Sequence, residues 1–350
     1  MVRAFVLASA AAGLLAACAQ PVCGDCGPQS AAAPDAPSGT LFVANKRGNT
    51  LSQIDLASGE ELRRVEACTN PHELATSPDD AHVALACYGG TTVDIFRASD
   101  LKKVASHDLG DNARPHGIVW HANGNIYVTA EGQQAIHVIF RPERSPRHVG
   151  LSWATGKVGS HMLAVSSDAR TFWTTDLGSR TVTRSAPAGV GLPVSVVVGE
   201  EPEGIALSPD GKTLWVSARG SNKAYALDPQ SLEVLRTVPV GAFPLRLAIR
   251  PQGDVAVTSN LADGSLSVID LDTATVTRTI PVSSPDEAQE RLQVTILWSP
   301  DGERIYVAET GTDTIAEVDY AGGRVLRRIA TGKGGDGLAI VSPVEGARSQ

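Results

Sequence analysis

The sequence predicts an all-β protein: a seven-bladed β-propeller made of four-stranded antiparallel blades. The first observation is a repeated unit, in which a short apolar run, a Ser-Pro-Asp-Gly turn and a second apolar run follow one another, most completely at Pro202–Ser217. The second observation is the spacing, because the turns begin 42 to 49 residues apart, at Ser77, His121, Ser166, Ser208, Arg250 and Ser299. A period of this length with several strands per unit is typical of a propeller.

Each unit contains four short strands. In the most complete copy these are Ile205–Leu207, Leu214–Ser217, Ala224–Leu227 and Val234–Val238. The Pro-Asp-Gly turn joins the first two, because proline presets φ and glycine accepts a positive φ. Four short antiparallel strands cannot bury both faces alone, so we expect neighbouring units to stack face to face around an axis.

The two ends of the repeat region complement each other. Second, third and fourth strands without a first are predicted at Thr40–Val43, Leu51–Leu56 and Leu62–Val65, and a first strand without a second at Gly337–Ile340. One composite blade made from both termini supplies the strands that each end lacks and brings the number of blades to seven. It also removes two exposed sheet edges. We therefore expect the propeller to span residues 39–342, followed by a disordered tail at 343–350.

The N-terminus has the form of a signal peptide over residues 1–17, with Arg3 before an apolar stretch. The segment Leu15–Cys18 is similar to bacterial lipoprotein signals, which implies cleavage before Cys18 and lipid attachment to its thiol. Ala19 after the cysteine implies sorting to the outer membrane, facing the periplasm. Residues 18–38 then form a lipidated cysteine and a flexible Pro/Ala-rich tether. The alternative is an ordinary secreted protein cut after a small residue.

The chain is acidic. Its formal net charge is −8, and loss of Arg3 with the signal peptide changes this to −9. An acidic surface argues against strong nucleic-acid binding, which needs Lys and Arg to neutralise phosphates. No βαβ pattern carries a P-loop or Rossmann glycine motif. We expect a monomer whose partners are the membrane, through the lipid, and an envelope protein or a small ligand.

Four cysteines remain beside the lipidated one, an even number suited to an oxidising compartment. Cys68 ends a fourth strand and Cys87 ends the second strand of the next blade, so both lie on one face of the disc and a disulfide between them is reasonable. Cys23 and Cys26 form Cys-Gly-Asp-Cys in the tether. A local disulfide or a metal-binding or redox pair is open for them.

The candidate site lies where the first strands begin, at one mouth of the axial channel. Five residues before each turn marker, the ring of blades carries Asp336, His72, His116, His161, Glu203, Leu245 and Val294. The first five, here called the polar arc, are contiguous around the circle. The last two form the apolar arc. Three of only eight histidines thus occupy one register in successive blades.

A second ring is predicted at the ends of the second strands: Asn45, Cys87, Ala130, Asp176, Ala218, Ser259 and Glu309. We expect Asp176 to lie beside His161, where a carboxylate fixes the imidazole tautomer and raises its basicity. Glu131 and Arg219 follow one residue later, at the rim.

Three interpretations of the polar arc are open. In the first, His72, His116 and His161 bind copper or zinc and leave one coordination position free. In the second, one of these histidines acts as an acid–base catalyst with Glu203 or Asp336 opposite, as in a lyase or lactonase, and His116 and Glu203 are the candidates. In the third, the histidines line a hydrated channel. No HExxH, paired CxxC or GxSxG motif favours either chemical interpretation.

Other features are interpreted structurally. Trp173, Trp215 and Tyr306 share one strand position and are expected to pack between blades. Ser283–Gln293 lengthens a connection between blades, as a short helix or a flap over the channel mouth. Arg141–Lys157 is interpreted as another long connection.

The blade motifs at Leu41–Asn45 (LFVAN) and Ile305–Glu309 (IYVAE), beside Ser-Pro-Asp-Gly turns, resemble the YVTN-type β-propeller repeat proteins, over residues 39 to about 341. Relatives include lactonases, streptogramin lyases and copper-containing oxidases and reductases, and Pro115–Ile118 resembles a lyase-type blade start. No family catalytic set matches, so none is carried over. The sequence favours an envelope lipoprotein that acts as a binding or scaffold protein, with a metal ion or small ligand at the channel mouth. The alternative is a lactonase- or lyase-like enzyme that uses a channel histidine with an acidic partner.

Overall fold

The computed structural model describes residues 37–143, 149–187 and 190–342. The predicted signal peptide, the tether with Cys18, Cys23 and Cys26, and the tail at 343–350 lie outside the described residues. Within the described ranges, no helix is long and apolar enough to cross a membrane.

The described chain forms 28 strands in chain order. The first three are β1 (Thr40–Asn45), β2 (Thr50–Asp55) and β3 (Glu61–Glu66). Blade 1 contains β4 (Pro71–Thr76), β5 (His82–Cys87), β6 (Thr92–Arg97) and β7 (Lys103–Asp108). Blade 2 contains β8 (Pro115–Trp120), β9 (Ile126–Ala130), β10 (Ala135–Ile139) and β11 (Val149–Ala154). Blade 3 contains β12 (Ser160–Val165), β13 (Phe172–Asp176), β14 (Thr181–Ser185) and β15 (Val194–Val197).

The remaining blades repeat this pattern. Blade 4 contains β16 (Pro202–Leu207), β17 (Leu214–Ala218), β18 (Lys223–Leu227) and β19 (Val234–Pro239). Blade 5 contains β20 (Pro244–Ile249), β21 (Val255–Asn260), β22 (Ser265–Asp270) and β23 (Thr275–Pro281). Blade 6 contains β24 (Gln293–Trp298), β25 (Arg304–Glu309), β26 (Thr314–Asp319) and β27 (Arg324–Ala330). The last strand is β28 (Gly335–Val341).

Blade 7 closes the ring with strands from both ends of the chain. Its strand order is β28-β1-β2-β3, and β28 pairs antiparallel with β1, with Leu41 opposite Ile340. The first strand of every blade contacts the first strands of both neighbouring blades, so the seven strands surround one channel. The predicted seven-bladed propeller with a composite closing blade is confirmed.

The repeated Ser-Pro-Asp-Gly turn owes its shape to side-chain hydrogen bonds. In blade 4, the Ser208 hydroxyl donates to an Asp210 carboxylate oxygen at 2.6 Å and accepts the Thr213 backbone N–H at 3.0 Å. Gly211 follows with φ +71°, which strains any residue with a Cβ. The same serine–aspartate bond forms at Ser77, Ser166 and Ser299. These hydrogen bonds explain why serine and aspartate recur at this turn in the sequence.

Large side chains fill the space between blades. Trp173, Trp215 and Tyr306 are at most 1% exposed, as their shared strand position predicts. Trp173 of blade 3 belongs to one buried cluster with Ile205 and Val216 of blade 4, and its indole N–H donates to the Pro229 carbonyl at 2.8 Å.

Of the two segments predicted to be long connections, one contains a helix and the other contains a strand. The helix expected in Ser283–Gln293 is α1 (Pro285–Arg291), and Ser284 and Glu287 form a capping box at its start. The interpretation of Arg141–Lys157 as a connection is wrong, because this segment contains β11, the fourth strand of blade 2. A fourth strand lies at the outer edge of a blade and is less apolar than inner strands, which obscures its pattern.

Candidate functional site

The structure brings the three histidines of the polar arc together. The ring centroids of His72 and His116 lie 4.5 Å apart, and those of His116 and His161 lie 3.6 Å apart. The two ring pairs are tilted, with interplanar angles of 57° for His72 and His116 and 31° for His116 and His161. Equivalent positions in successive blades therefore place these imidazoles in contact around the channel.

Small residues and hydroxyls hold the inner strands at this short spacing. A Cβ on Gly117 would lie 2.7 Å from the His161 carbonyl oxygen, so only glycine fits beside His116 here. The Thr129 hydroxyl donates to the same His161 carbonyl at 2.7 Å, and the Thr175 hydroxyl donates to the Glu203 carbonyl at 2.7 Å. The second strand of one blade thus fixes the arc residue of the next.

His161 lies between two carboxylates. Its Nδ1 is 3.1 Å from Glu131 Oε2, and its Nε2 is 3.5 Å from Glu203 Oε1. Burial opposes the charged imidazole, but these two carboxylates outweigh it and raise the pKa of His161. His161 is therefore the arc histidine that holds a proton most readily.

His116 and His72 have the opposite character. His116 is fully buried, and neither of its ring nitrogens has a hydrogen-bond partner among the described residues. Burial, reinforced by the charge on His161, holds the pKa of His116 well below its usual value. Burial also lowers the pKa of His72, although its Nε2 lies 3.4 Å from Asp336 Oδ2. Both rings are neutral near pH 7.

A buried arginine crosses the channel beneath the arc. Arg246, in the first strand of blade 5, donates to Glu73 of blade 1 at 2.7 Å and to Glu203 of blade 4. Burial would raise the pKa of Glu203, but Arg246, His161 and Arg219 lower it to about 2. Glu203 is therefore an ionised partner for His161 and Arg246. Among the described residues it forms no hydrogen bond with His116, its candidate catalytic partner.

Sequence reasoning missed Arg246 and Glu73 because the first strands are bulged at their start. The pairing register shifts between Pro71 and Leu74 in blade 1 and between Pro244 and Arg246 in blade 5. A bulge breaks the alternation of side chains between the two faces of a strand. Two consecutive residues can then reach the channel, which a two-residue period does not predict.

A cavity of about 500 Å³, here called the channel-mouth cavity, opens above these residues. Its polar lining residues, here called the polar wall, come mostly from blades 7 and 1–4: Lys46, Arg47, His72, Tyr88, Glu131, His161, Glu203, Arg219, Arg246 and Thr310. Its apolar lining residues, here called the apolar wall, come mostly from blades 5 and 6 and the connections that lead to them: Leu177, Phe243, Leu245, Leu261, Leu292 and Val294. Both apolar-arc residues thus line the cavity, whereas His116 and Asp336 lie behind the lining. A second depression of about 760 Å³, near Ser77 and Trp120, contains no arc residue.

Most of the predicted second ring is structural. The carboxylate of Asp176 accepts hydrogen bonds from the hydroxyls of Ser160, Thr174, Thr181 and Thr183 and does not contact His161, so the expected pair is wrong. Asn45 likewise donates to Thr50 and Ser52 of its own blade. In blade 5 the equivalent residue is Asn260, which pairs with Pro244, and not Ser259. Glu131 and Arg219, one residue further, do reach the cavity.

The two cysteines among the described residues lie beside the start of the His72 strand, where Cys87 pairs with Pro71. Cys68 and Cys87 form the predicted disulfide, with Cα atoms 5.7 Å apart. Cys87 is followed by Tyr88, whose ring lies 5.0 Å from His72 and whose hydroxyl donates to Glu131 at 3.2 Å. The disulfide therefore ties the start of the His72 strand to the Tyr88 loop.

The arc histidines are not arranged as a metal centre. In the part of the chain that the structure describes, one set of three His, Cys, Asp or Glu ligand atoms lies within 4.8 Å of one another: Cys68, Cys87 and Asp94. Its two sulfurs are bonded to each other and are not thiolates, the form that binds metals. His72, His116 and His161 contact one another as tilted rings. The geometry gives no support to the copper or zinc hypothesis.

Solved structures share this fold at low sequence identity. Periplasmic gluconolactonase from Pseudomonas aeruginosa is 18% identical, with 87% of this chain and 99% of that chain covered and a TM-score of 0.66. Virginiamycin B lyase from Staphylococcus aureus is 17% identical, with 78% and 92% covered and a TM-score of 0.61. Hydrazine synthase from Kuenenia stuttgartiensis is 17% identical, with 82% and 96% covered and a TM-score of 0.69. These likenesses show the fold alone. Among curated proteins, none matches this sequence.

The family is shown by the sequence itself. The family description that matches is that of the YNCE-like beta-propeller, over residues 2–343, nearly the whole chain. This agrees with the predicted YVTN-type repeat and with the seven blades of the structure. The chain therefore belongs to the YNCE-like beta-propeller family.

Proposed function

We propose that this protein binds a small organic molecule in the channel-mouth cavity. The observation that carries the proposal is the division of one cavity of about 500 Å³ into a charged wall and an apolar wall. Small-molecule sites commonly have volumes of about 300–1,000 Å³ and combine apolar surface with a few convergent polar groups. The cavity matches both features.

The buried groups beneath the cavity also support binding. His116 has two unpaired ring nitrogens, and Arg246 has an unpaired Nε, although both side chains are buried. Buried polar atoms without partners cost stability, and such a cost is tolerated most readily where a ligand or ordered water supplies the missing bonds. Arg246 itself lines the cavity.

Thermal unfolding in the presence of organic acids, alcohols, amines and lactones tests the proposal. A ligand at a hundred times its dissociation constant stabilises the folded state by about 2.7 kcal/mol. Leu245→Trp should fill the cavity and abolish the shift. The control is Leu235→Trp, at a 41% exposed position outside the cavity. No shift with any compound, or an equal shift in the Leu245 variant, would contradict the proposal.

We also propose that the protein acts in the cell envelope, anchored through a lipid on Cys18 and sorted to the outer membrane. The disulfide between Cys68 and Cys87 supports an oxidising compartment. Incorporation of radiolabelled palmitate into the wild type, with loss of label and of membrane association in Cys18→Ala, is the expected result. Absence of radiolabel from the wild-type protein would contradict the proposed lipid anchor. Crosslinking in the envelope would reveal a protein partner, as the scaffold alternative requires.

One observation favours a second candidate, acid–base catalysis on a lactone or cyclic ester. His161 lines the cavity and has a raised pKa, so it could donate a proton to a leaving oxygen. The expected result is lactone hydrolysis or depsipeptide ring opening that is lost in His161→Gln and retained in His121→Gln, at an exposed turn. A lactone and depsipeptide panel with no rate above buffer would exclude it.

A further inference from the structure

The lining of the channel-mouth cavity is cationic although the protein is acidic. Four permanent cations line it, Lys46, Arg47, Arg219 and Arg246, against two carboxylates, Glu131 and Glu203. The whole chain has a formal net charge of −8. Cations therefore outnumber carboxylates among the residues that line the cavity, and a concave site with one sign of charge concentrates ligands of the other sign.

Two of the carboxylates that pair with these cations are hidden from a ligand, whereas Glu201 on Arg219 and Asp313 on Arg47 are exposed at the rim. Asp336, which pairs with Lys46 at 3.0 Å, has a fully buried side chain and lies behind the lining. Glu73, which pairs with Arg246, is also absent from the lining. The side chains of Lys46 and Arg219 are 25% and 24% exposed, whereas that of Glu203 is 4% exposed. Among the residues that line the cavity, Lys46 and Arg219 are thus more open to solvent than Glu203.

Two of these cations have donors to spare within the described residues. Lys46 has one ion-pair partner, Asp336, for the three N–H donors of an ammonium group. Arg219 uses Nε for Glu201 at 3.2 Å and Nη1 for Glu203 at 2.5 Å, and its Nη2 has no hydrogen-bond partner. A carboxylate or phosphate oxygen is the complementary acceptor for such donors.

Arg219 also marks the boundary between the two walls. Its guanidinium carbon lies 5.2 Å from the centroid of the Phe243 ring, on the apolar wall. Leu245 and Val294, both at least nine-tenths buried, continue that wall. An anionic group bound by Arg219 would therefore leave an attached hydrocarbon against Phe243, Leu245 and Val294.

We infer that the ligand of the channel-mouth cavity is an amphipathic organic anion, with a carboxylate or phosphate head on Arg219 and Lys46 and a hydrocarbon body on the apolar wall. This inference rests on the proposed function and specifies its ligand class. Carboxylate and phosphate heads share the required chemistry and are distinguished by the test.

Calorimetric titration with matched eight-carbon compounds tests the inference. The protein is the lipid-free chain from Ala19, which contains all 28 strands. The probes are octanoate, octyl phosphate, 1-octanol and octylammonium, below their micelle concentrations, with acetate as the head group without a tail. The two anions should bind at least about tenfold more tightly than 1-octanol, the size of effect expected for a hydrogen bond to a charged group. Octylammonium and acetate should bind more weakly still.

A matched pair of arginine variants places the head group. Arg219→Gln should weaken binding of the anions about tenfold and leave 1-octanol unchanged. Glu203 keeps Arg246 and His161 as partners in this variant, so the fold is expected to be retained. The control, Arg180→Gln, removes an exposed Arg180–Glu200 pair outside the cavity and should change nothing.

The outcomes separate the two claims. Equal or tighter binding of 1-octanol or octylammonium, or no difference between the Arg219 and Arg180 variants, would overturn the anion inference and leave the binding function standing. Absence of binding by every probe, octyl phosphate included, would overturn both.

Discussion

The polar and apolar arcs occupy the same strand position in blades of the same shape, but they have opposite chemistry. His116 in blade 2 and Leu245 in blade 5 are equivalent, and both lie one residue after a strand-initial proline. At the next position the polar residue is in blade 5 instead, because Gly117 of blade 2 is equivalent to Arg246 of blade 5. Blade 5 supplies Arg246, the cation that neutralises Glu73 and Glu203 across the channel.

This comparison shows how a symmetric fold acquires an asymmetric site. The backbone repeat decides where a side chain lies, and the individual residue decides what it does there. The two arcs depend on each other, because the charges of the polar arc are balanced from the apolar side. Four sets of substitutions test how far the two arcs depend on each other.

The largest effect is expected from Arg246→Met. This change leaves Glu73 and Glu203 buried without their shared cation, and breaking a buried ion pair typically costs about 3–5 kcal/mol. Denaturant unfolding measures the loss. The triple variant with Glu73→Gln and Glu203→Gln should recover much of it, and a triple variant no more stable than Arg246→Met would contradict the charge-balance account.

The next largest loss of stability is expected on removal of the disulfide beside the His72 strand. Cys68 and Cys87 are 19 residues apart, and a disulfide that closes a loop of this size contributes about 3 kcal/mol. The Cys68→Ala/Cys87→Ala variant should lose about that much unfolding free energy. Unchanged wild-type stability on addition of a reductant would show that the bond contributes nothing.

A smaller effect is expected beside the apolar arc. Ser284→Ala removes the N-cap of α1, the helix whose C-cap residue, Leu292, lines the cavity. The expected loss is about 1 kcal/mol of unfolding free energy, measured by denaturant. Ser58→Ala, at an exposed turn of blade 7, is the control. A loss no larger than in this control would show that the cap is dispensable.

The smallest effect on the free energy of unfolding at neutral pH is expected for His116 and His161, whose contributions depend on pH in opposite ways. The pKa of His116 is lowered, so its contribution to stability is present above pH 6.5 and is lost as pH falls. The pKa of His161 is raised, so its contribution is present below pH 6.5 and is lost as pH rises through the raised value. The cost of His116→Gln should therefore shrink on acidification from pH 7.5 to 5.5, whereas that of His161→Gln should grow. Slopes of the same sign would contradict these environments.

The fold and the location of the site can be predicted from the sequence, but the side-chain contacts within the site are predicted less well. The Ser-Pro-Asp-Gly turns mark the blades because each turn has its own hydrogen bonds, and a common register places His72, His116 and His161 together. The bulge after Pro244 hides Arg246 from a two-residue period. Asp176 was misplaced because a strand-end carboxylate can face its own blade or the channel, and the hydroxyls of Thr181 and Thr183 decide between them.

A crystal structure of the lipid-free chain with octanoate tests the divided cavity most directly. The account predicts the carboxylate within hydrogen-bond distance of Arg219 or Lys46 and the hydrocarbon against Phe243, Leu245 and Val294. Octanoate bound in the reverse orientation, or His72, His116 and His161 turned away from one another on the blade flanks, would contradict it.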